Sequence, residues 1–391
     1  MSSGSMRVAI VGASGYVGSR LAHYLSGQGR EVVAMGRTLD RLPVGPGIDR
    51  RSVDLSDVTA TAKALRGVTV AYYLVHAMAD TPDFAAQDRR LARAFTEAAT
   101  AAGVDRVVYL GGLGQGQLSE HLSSRQEVGA ILADGLTTVE LRAAVIVGAG
   151  SISFEMLRYL VERLPVMICP KWVRSQLNPL AETDLLTYLH EAAGVAPGVY
   201  EIGGPEQVSY IEMMQIYATV RGLARRRIVT VPMLTPRLSA HWVDLVTPVD
   251  RAVSHSLIES LTNDVIVNDR ERTDTAFTVR PMGVHNAIRA ALDRQRQHIP
   301  EWIFDATEGL TDGVYTFRSH AALSRRSRRG AELDLADCAP REGLLGWAYW
   351  RLLWPVHWVV FRLMARRQAH RARAIAEHDP RVDTGGRAVT S

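Results

Sequence analysis

The sequence is short of several things, and each shortage excludes a class of protein. Its 391 residues hold two cysteines, Cys169 and Cys338, and no Cys-x-x-Cys. That excludes a disulfide framework and a cysteine zinc site, and makes the cytoplasm the default compartment. Met1 to Ser5 are polar and lack the apolar core of a secretory signal, so they read as a disordered lead-in, with Met6 an alternative start. There is no internal repeat, and the only biased run is the arginine-rich link Ser324 to Gly330. With 22% charged and 47% hydrophobic residues, disorder throughout is excluded, and the length accommodates two domains. The net charge of +4 is small but uneven: Gly343 to Ala376 carries six arginines and no acidic residue.

What is present begins with Arg7-Val8-Ala9-Ile10-Val11, an apolar run that empties into Gly12-Ala13-Ser14-Gly15-Tyr16-Val17-Gly18. A β-branched run predicts a buried parallel strand. A turn that must approach a diphosphate closely cannot carry a Cβ at the nearest point, nor where the following helix packs on the strand. A helix opening near Gly15 then offers its free N–H groups and positive dipole end to phosphate. Further strands are predicted at Glu31 to Gly36, Asp49 to Val53, Thr69 to Val75, Arg106 to Leu110 and Thr138 to Val147, with helices over Phe84 to Ala102 and Arg125 to Ala133. This alternation predicts an α/β fold, a doubly wound Rossmann-type parallel sheet over 6–150. Prolines 165, 170, 179, 197 and 205 break the next stretch into shorter pieces, and 151–290 reads as a small cap lobe with strands returning to the sheet. Residues 291–342 read as a linker and remnant domain, 343–376 as an aromatic, arginine-rich helix, and 377–391 as a disordered tail.

The end of the second strand chooses the cofactor in such folds. An acidic residue there holds the 2′-hydroxyl of NAD, whereas a cation favours the 2′-phosphate of NADP. Here it carries Arg37 and Thr38, with Arg41 close behind and no carboxylate before Asp40. Arginine's planar fork suits phosphate, so NADP(H) is preferred and NAD(H) is the alternative.

With the glycine turn, Val53-Asp54-Leu55, Leu74-Val75-His76, Leu141-Arg142-Ala143-Ala144-Val145 and Tyr200-Glu201-Ile202-Gly203-Gly204-Pro205, the chain resembles the short-chain dehydrogenase/reductase superfamily over about residues 6 to 290. The branch it is similar to is the atypical extended one, which includes NmrA-like proteins and bacterial members with a C-terminal domain of unknown function, here shortened. The resemblance implies that Asp54 and Leu55 flank adenine and that Leu74 to His76 line the nicotinamide ribose.

The superfamily's proton-transfer tyrosine and its lysine four residues later are missing. In their place stand His121 and Arg125, and the usual serine at the end of the fifth strand gives way to Gly111-Gly112. These replacements allow two readings. Either His121 is the proton donor, with an ordinary pKa of about 6.5, and Arg125 supplies charge and a ribose contact, or the site is chemically silent and the protein is a dinucleotide sensor or scaffold. Neither histidine has a carboxylate at ligand spacing, which argues against a metal. In the cap lobe, Trp172 could stack on a ligand ring, and Glu155 could face the cleft or simply pair with Arg158 one turn on.

Trp347, Trp350, Trp354, Trp358 and Phe361 form one helical stripe, with apolar residues opposite. Pro355, Arg351 and His357 weigh against a full membrane crossing. An interfacial segment whose arginines meet anionic lipid, or packing against protein or across a homo-oligomer, fits better. No aromatic-basic module points to specific nucleic-acid binding. The expectation is an NADP(H)-dependent reductase or dehydrogenase acting on an apolar small molecule, cytoplasmic and held at the inner face of the membrane, with the silent scaffold as the alternative.

Overall fold

Strand β1 (Arg7–Val11) has four consecutive residues, Val8 to Val11, with no exposure at all. A strand so buried needs a partner on each edge and a layer on each face. It pairs in parallel with β2 (Glu31–Gly36) on one edge and β4 (Val70–Tyr73) on the other. Beyond these lie β3 (Ile48–Ser52), β5 (Arg106–Gly112), β6 (Thr138–Ala143) and β11 (Gly198–Ile202), in the order β11-β6-β5-β4-β1-β2-β3. All six pairings are parallel. The computed structural model describes residues 6–39, 42, 45–76, 83–116, 118–231 and 263–296, all within one unit, Met1–Thr307.

Parallel neighbours need crossovers, and helices supply most of them. Helices α1 (Tyr16–Gly27), α2 (Val58–Ala64), α3 (Phe84–Ala102) and α4 (Glu120–Gly135) precede β2, β4, β5 and β6. The period of two in each strand divides the core. Val8, Ile10, Tyr72 and Leu141 pack with Leu21 and Leu25 of α1 and with Leu185 and Leu189 of a later helix, α6 (Glu182–Ala192). Ala9, Val11, Ala71 and Tyr109 pack with Phe95 of α3 and Val128 and Leu132 of α4. The strand order reverses between β1 and β4, and the carboxyl ends of those two strands form the crevice where such sheets bind ligands.

The remaining elements form short pairs. Strand β7 (Ile146–Val147) pairs with β10 (Leu180–Ala181), β8 (Val166–Pro170) with β13 (Arg227–Val231), and β9 (Gln176–Leu177) with β12 (Val208–Ser209). Helices α5 (Ile152–Arg163), α7 (Tyr210–Val220), α8 (Arg270–Ala276) and α9 (Val284–Arg296) complete the described chain.

The doubly wound sheet is the one the sequence predicts, with three local differences. The expected strand Thr138 to Val147 stops at Ala143, and Ile146–Val147 joins a separate pair. Strand β5 runs on through Gly111 and Gly112. Helix α4 begins five residues early because the Ser119 hydroxyl caps it, accepting from Leu122 N at 3.3 Å. His121 therefore sits inside the first helical turn rather than ahead of it. Met1 to Ser5, Arg41, the linker beyond residue 296, the aromatic helix 343–376 and the tail 377–391 lie outside the described residues. Among the described residues, no helix is long and apolar enough to cross a membrane.

The packing of α1 on the glycine turn is testable. A Cβ at Gly18 would stand 2.2 Å from the Gly12 carbonyl oxygen and 2.9 Å from Ala13 Cα, both backbone, whereas one at Gly27 meets nothing within 4 Å. Gly18→Ala is expected to destabilise the protein by about 1–3 kcal/mol, and Gly27→Ala to be neutral or to gain up to about 1 kcal/mol. Denaturant unfolding of the two variants checks this, and equal stabilities would refute it.

Candidate functional site

The glycine turn is shaped for close approach. Gly12 has φ +91°, and a Cβ there would lie 3.0 Å from Leu74 O and 3.2 Å from the Val75 side chain, at the crevice between β1 and β4. The N–H groups of Gly12 and Ala13 both donate to Met35 O, and Gly15 N donates to Gly12 O, which holds the turn rigid. Gly15 caps α1 without a side-chain bond, and the first helical bond runs from Ser19 N to Gly15 O. The N–H groups of Tyr16, Val17 and Gly18 thus stand ahead of the hydrogen-bonded helix, beside exposed Ser14 and Gly15. These residues fit a diphosphate, which needs donors and no Cβ.

The Tyr16 side chain is engaged elsewhere. Its hydroxyl donates to Glu182 Oε2 at 2.5 Å, and the Arg20 guanidinium lies 4.0 Å from its ring centroid. Burial first, then the Glu182 charge, hold the phenol well above its ordinary range. Buried Arg20 and the more exposed Arg294 complete a cluster on buried Glu182 at 2.9 and 2.6 Å. Only the Tyr16 backbone is left for a cofactor.

At the end of β2, Arg37 and Thr38 are exposed, and a Cβ on Gly36 would lie 3.7 Å from Ser14 Oγ, so the cation and the glycine turn are neighbours. Asp54 is exposed nearby, accepting from Ser56 N and Oγ at 2.9 and 2.8 Å. Those bonds, with a smaller contribution from Arg37, hold its carboxyl below the usual range. Leu55 is buried in the core beneath.

At the carboxyl ends of β4 and β5 the structure brings together two histidines that are 45 residues apart. His76 follows β4, His121 lies in the first turn of α4, and His76 Nε2 is 3.3 and 3.2 Å from the two ring nitrogens of His121. On its other side, His76 Nδ1 is 3.0 Å from Asp88 Oδ2 of α3, which also accepts from Ser124 Oγ at 3.2 Å. Asp88 is 2% exposed, so its charge requires such donors. Burial lowers the His76 pKa against the opposing Asp88 bond, and burial, then His76 and Arg125, push His121 down to about 3. Instead of the ordinary imidazole expected from sequence, His121 is held neutral.

Asp88 is invisible to a search for carboxylates at ligand spacing from either histidine. A signal existed nonetheless: Asp88, Ala92, Phe95 and Ala99 share the buried stripe of α3, where a charge needs a partner. Among the described residues, no group of three His, Cys, Asp or Glu side chains is arranged to hold a metal ion.

Arg125 Nη2 donates to Leu110 O at 3.0 Å, and its buried Nε has no partner among the described residues. The glycines that replace the usual serine make room. A Cβ at Gly111 would meet Glu140 Oε1 at 2.9 Å, and one at Gly112 would meet Leu122 at 2.8 Å and Arg125 at 3.4 Å. Glu155 is buried in α5, where it accepts from Arg158 Nε at 2.6 Å and Gly150 N at 3.1 Å. The Trp172 side chain lies outside the described residues.

The neutral histidines make stability depend on pH. In the unfolded chain His121 titrates near its ordinary value of about 6.5, and in the folded chain near about 3. Between these the unfolded state binds more protons, so stability rises with pH through this window and levels off above it. One such group contributes a slope of at most about 1.4 kcal/mol per pH unit. Urea unfolding across this range should show the slope in the parent protein and a flatter one in His121→Phe; parallel curves would contradict the burial argument.

Residues 12–148 match the NAD(P)H-binding family. No curated protein sequence matches this chain. Among solved structures, the chain is similar to the Bordetella bronchiseptica enzyme WbmG in complex with NAD, at TM-score 0.60 and 18% identity, covering 76% of this chain and 96% of that one. It is also similar to MoeE5 in complex with UDP-glucose and NAD, at TM-score 0.58, 16% identity and 75% and 100% coverage. UDP-glucose 4-epimerase from Thermotoga maritima gives TM-score 0.60 at 11% identity, with 75% and 100% coverage. Residues 12–148 thus match an NAD(P)H-binding family within a Rossmann-type fold that the chain shares with structures solved in complex with NAD.

Proposed function

We propose that the protein is an NAD(P)-dependent oxidoreductase that prefers NADP(H), acts on an apolar small molecule, and uses His121 to exchange a proton with the substrate oxygen. The observation that carries this reading is the meeting of His121 and His76 at the carboxyl ends of β4 and β5, beside the glycine turn. The cofactor supplies hydride chemistry when bound. The backbone from Ser14 to Gly18 receives the diphosphate, and Arg37, exposed beside that turn, takes the 2′-phosphate. Leu74 and His76 flank the nicotinamide ribose. Arg125 contributes fixed positive charge beneath β5.

The second reading, a non-catalytic sensor or scaffold, is favoured by the missing tyrosine and lysine and by the low basicity of His121. The relatives solved with UDP-glucose make nucleotide sugars a competing substrate class in any screen. For the tail we keep a peripheral contact of 343–376 with the inner membrane face, or a homo-oligomer contact. Deleting residues 343–391 should move the protein from the membrane fraction to the supernatant, and an unchanged partition would end the lipid reading.

Titration with NADPH and NADH tests the cofactor site. Arg37→Ala should weaken NADPH about ten- to hundredfold, as loss of a charged hydrogen bond does, and leave NADH nearly unchanged; equal effects on both would remove Arg37 from the assignment. Incubation with small-molecule extracts and NADP⁺, followed by nicotinamide absorbance, should show turnover that His121→Phe abolishes while NADPH binding persists. Turnover that survives in His121→Phe would exclude His121 from the chemistry.

A further inference from the structure

Strands β8 and β13 form a pair that stands outside the seven-stranded sheet. In their parallel register Val166 lies opposite Arg227, and Ile168 opposite Val229. Paired residues share a face and side chains alternate along a strand, so Val166, Ile168, Arg227 and Val229 point the same way. That face is the outer one: Val166 is 48% and Val229 54% exposed, whereas Met167, one residue on, is 2% exposed. These are two of the three large apolar side chains that stand exposed among the described residues, and they are diagonal neighbours.

Exposed valines are ordinary in themselves, so the charge around them decides what they meet. The two segments that build the pair, 163–174 and 219–231, hold seven arginines and lysines and no aspartate or glutamate, in a chain whose net charge is only +4. Two of the seven are committed to the fold. Arg226 is buried, with its Nε donating to Val161 O at 2.8 Å, and Arg221 is paired with Glu162 at 3.1 Å. Lys171, Arg174, Arg225 and Arg227 are exposed. Arg174 donates to the Thr230 hydroxyl at 3.0 Å, a neutral partner that leaves its charge in place. Arg225 and Arg227 stand at the start of β13, where Val166 opens β8, and Lys171 and Arg174 follow the end of β8. The outward valines are thus bracketed at both ends by cations.

We propose that the outer face of β8 and β13 is a contact surface for an anionic lipid bilayer, through a different stretch of chain from 343–376. The proposal does not rest on the oxidoreductase reading. A bilayer of anionic lipid uses both features, taking the valines into the headgroup boundary and the guanidinium groups onto its phosphates. A nucleic acid offers phosphates but leaves the valines idle. A protein partner needs about 800 Å² on each side, and two strands of five residues present a strip only roughly 17 Å long and about 5 Å from strand to strand. Alone, such a contact binds weakly and reversibly, and a second contact on the same chain strengthens it.

Co-sedimentation of the full chain with vesicles of equal phosphatidylglycerol and phosphatidylcholine tests this. The parent protein should bind them on the order of tenfold more tightly than pure phosphatidylcholine vesicles. Arg225→Gln/Arg227→Gln should weaken binding on the order of tenfold, since each cation at an anionic surface contributes about fivefold, and Val166→Ser/Val229→Ser about threefold or more. Lys171→Gln/Arg174→Gln, at the other end of the pair, repeats the charge test on separate residues should either of the first variants fail to fold. Binding that all folded variants retain in full overturns the proposal and leaves any lipid contact to the tail. No binding of the full chain to the anionic vesicles, or equal binding to the neutral ones, overturns it as well. So does retention of duplex DNA in place of vesicles, lost in the arginine variant and unchanged in the valine variant.

Discussion

The approach of α1 to β1 governs the rest of the structure. Gly18 lies against the Gly12 carbonyl with no space for a single added carbon. That contact sets how steeply the helix leaves the strand, and so where its unbonded N–H groups point. It also brings Gly12 against the backbone of Leu74, which ties the glycine turn to the end of β4. The crevice at the sheet's reversal point and the anion-receiving end of α1 become one place because of this packing. The contacts of Tyr16 and Arg20 with Glu182, which Arg294 also meets, tie the same helix to α6.

Around that scaffold the site is made from buried polar groups, each of which costs desolvation unless a partner meets it. Asp88 meets His76 and Ser124; Glu140 meets Arg142 at 2.7 Å, though burial still raises its pKa. The glycines on either side of Glu140 show how closely it is fitted, for a Cβ at Gly129 would stand 2.4 Å from its Oε2. Such groups have few alternative positions. A site assembled from them is preorganised, which is what proton transfer between fixed partners demands.

Much of the architecture was legible in the sequence because its signals are local. Glycine spacing, apolar runs and their alternation with helices point to β1, β2, α3 and the parallel sheet, since each depends on residues adjacent in the chain. The edges were less legible: Ser119 as a cap and the break after Ala143 depend on which hydrogen bonds win locally, and composition does not rank them. The histidine pair was half visible. His76 and His121 could be singled out separately, but nothing in their spacing says that the end of β4 and the start of α4 lie side by side, or that Asp88 stands behind His76. Contacts across 36 to 45 residues are set by strand order, and strand order is a property of the whole sheet.

The two glycines at the end of β5 have a consequence for how this chain could change. The room that a serine would need beside the cofactor crevice is already taken, at Gly111 by the Glu140 carboxylate and at Gly112 by Leu122 and Arg125. Glycine at these two positions is therefore tied to Glu140, Leu122 and Arg125: a serine restored at either one meets a side chain already in place. A serine there would need a matching change in the side chain that now fills its space, so the two positions change together or not at all.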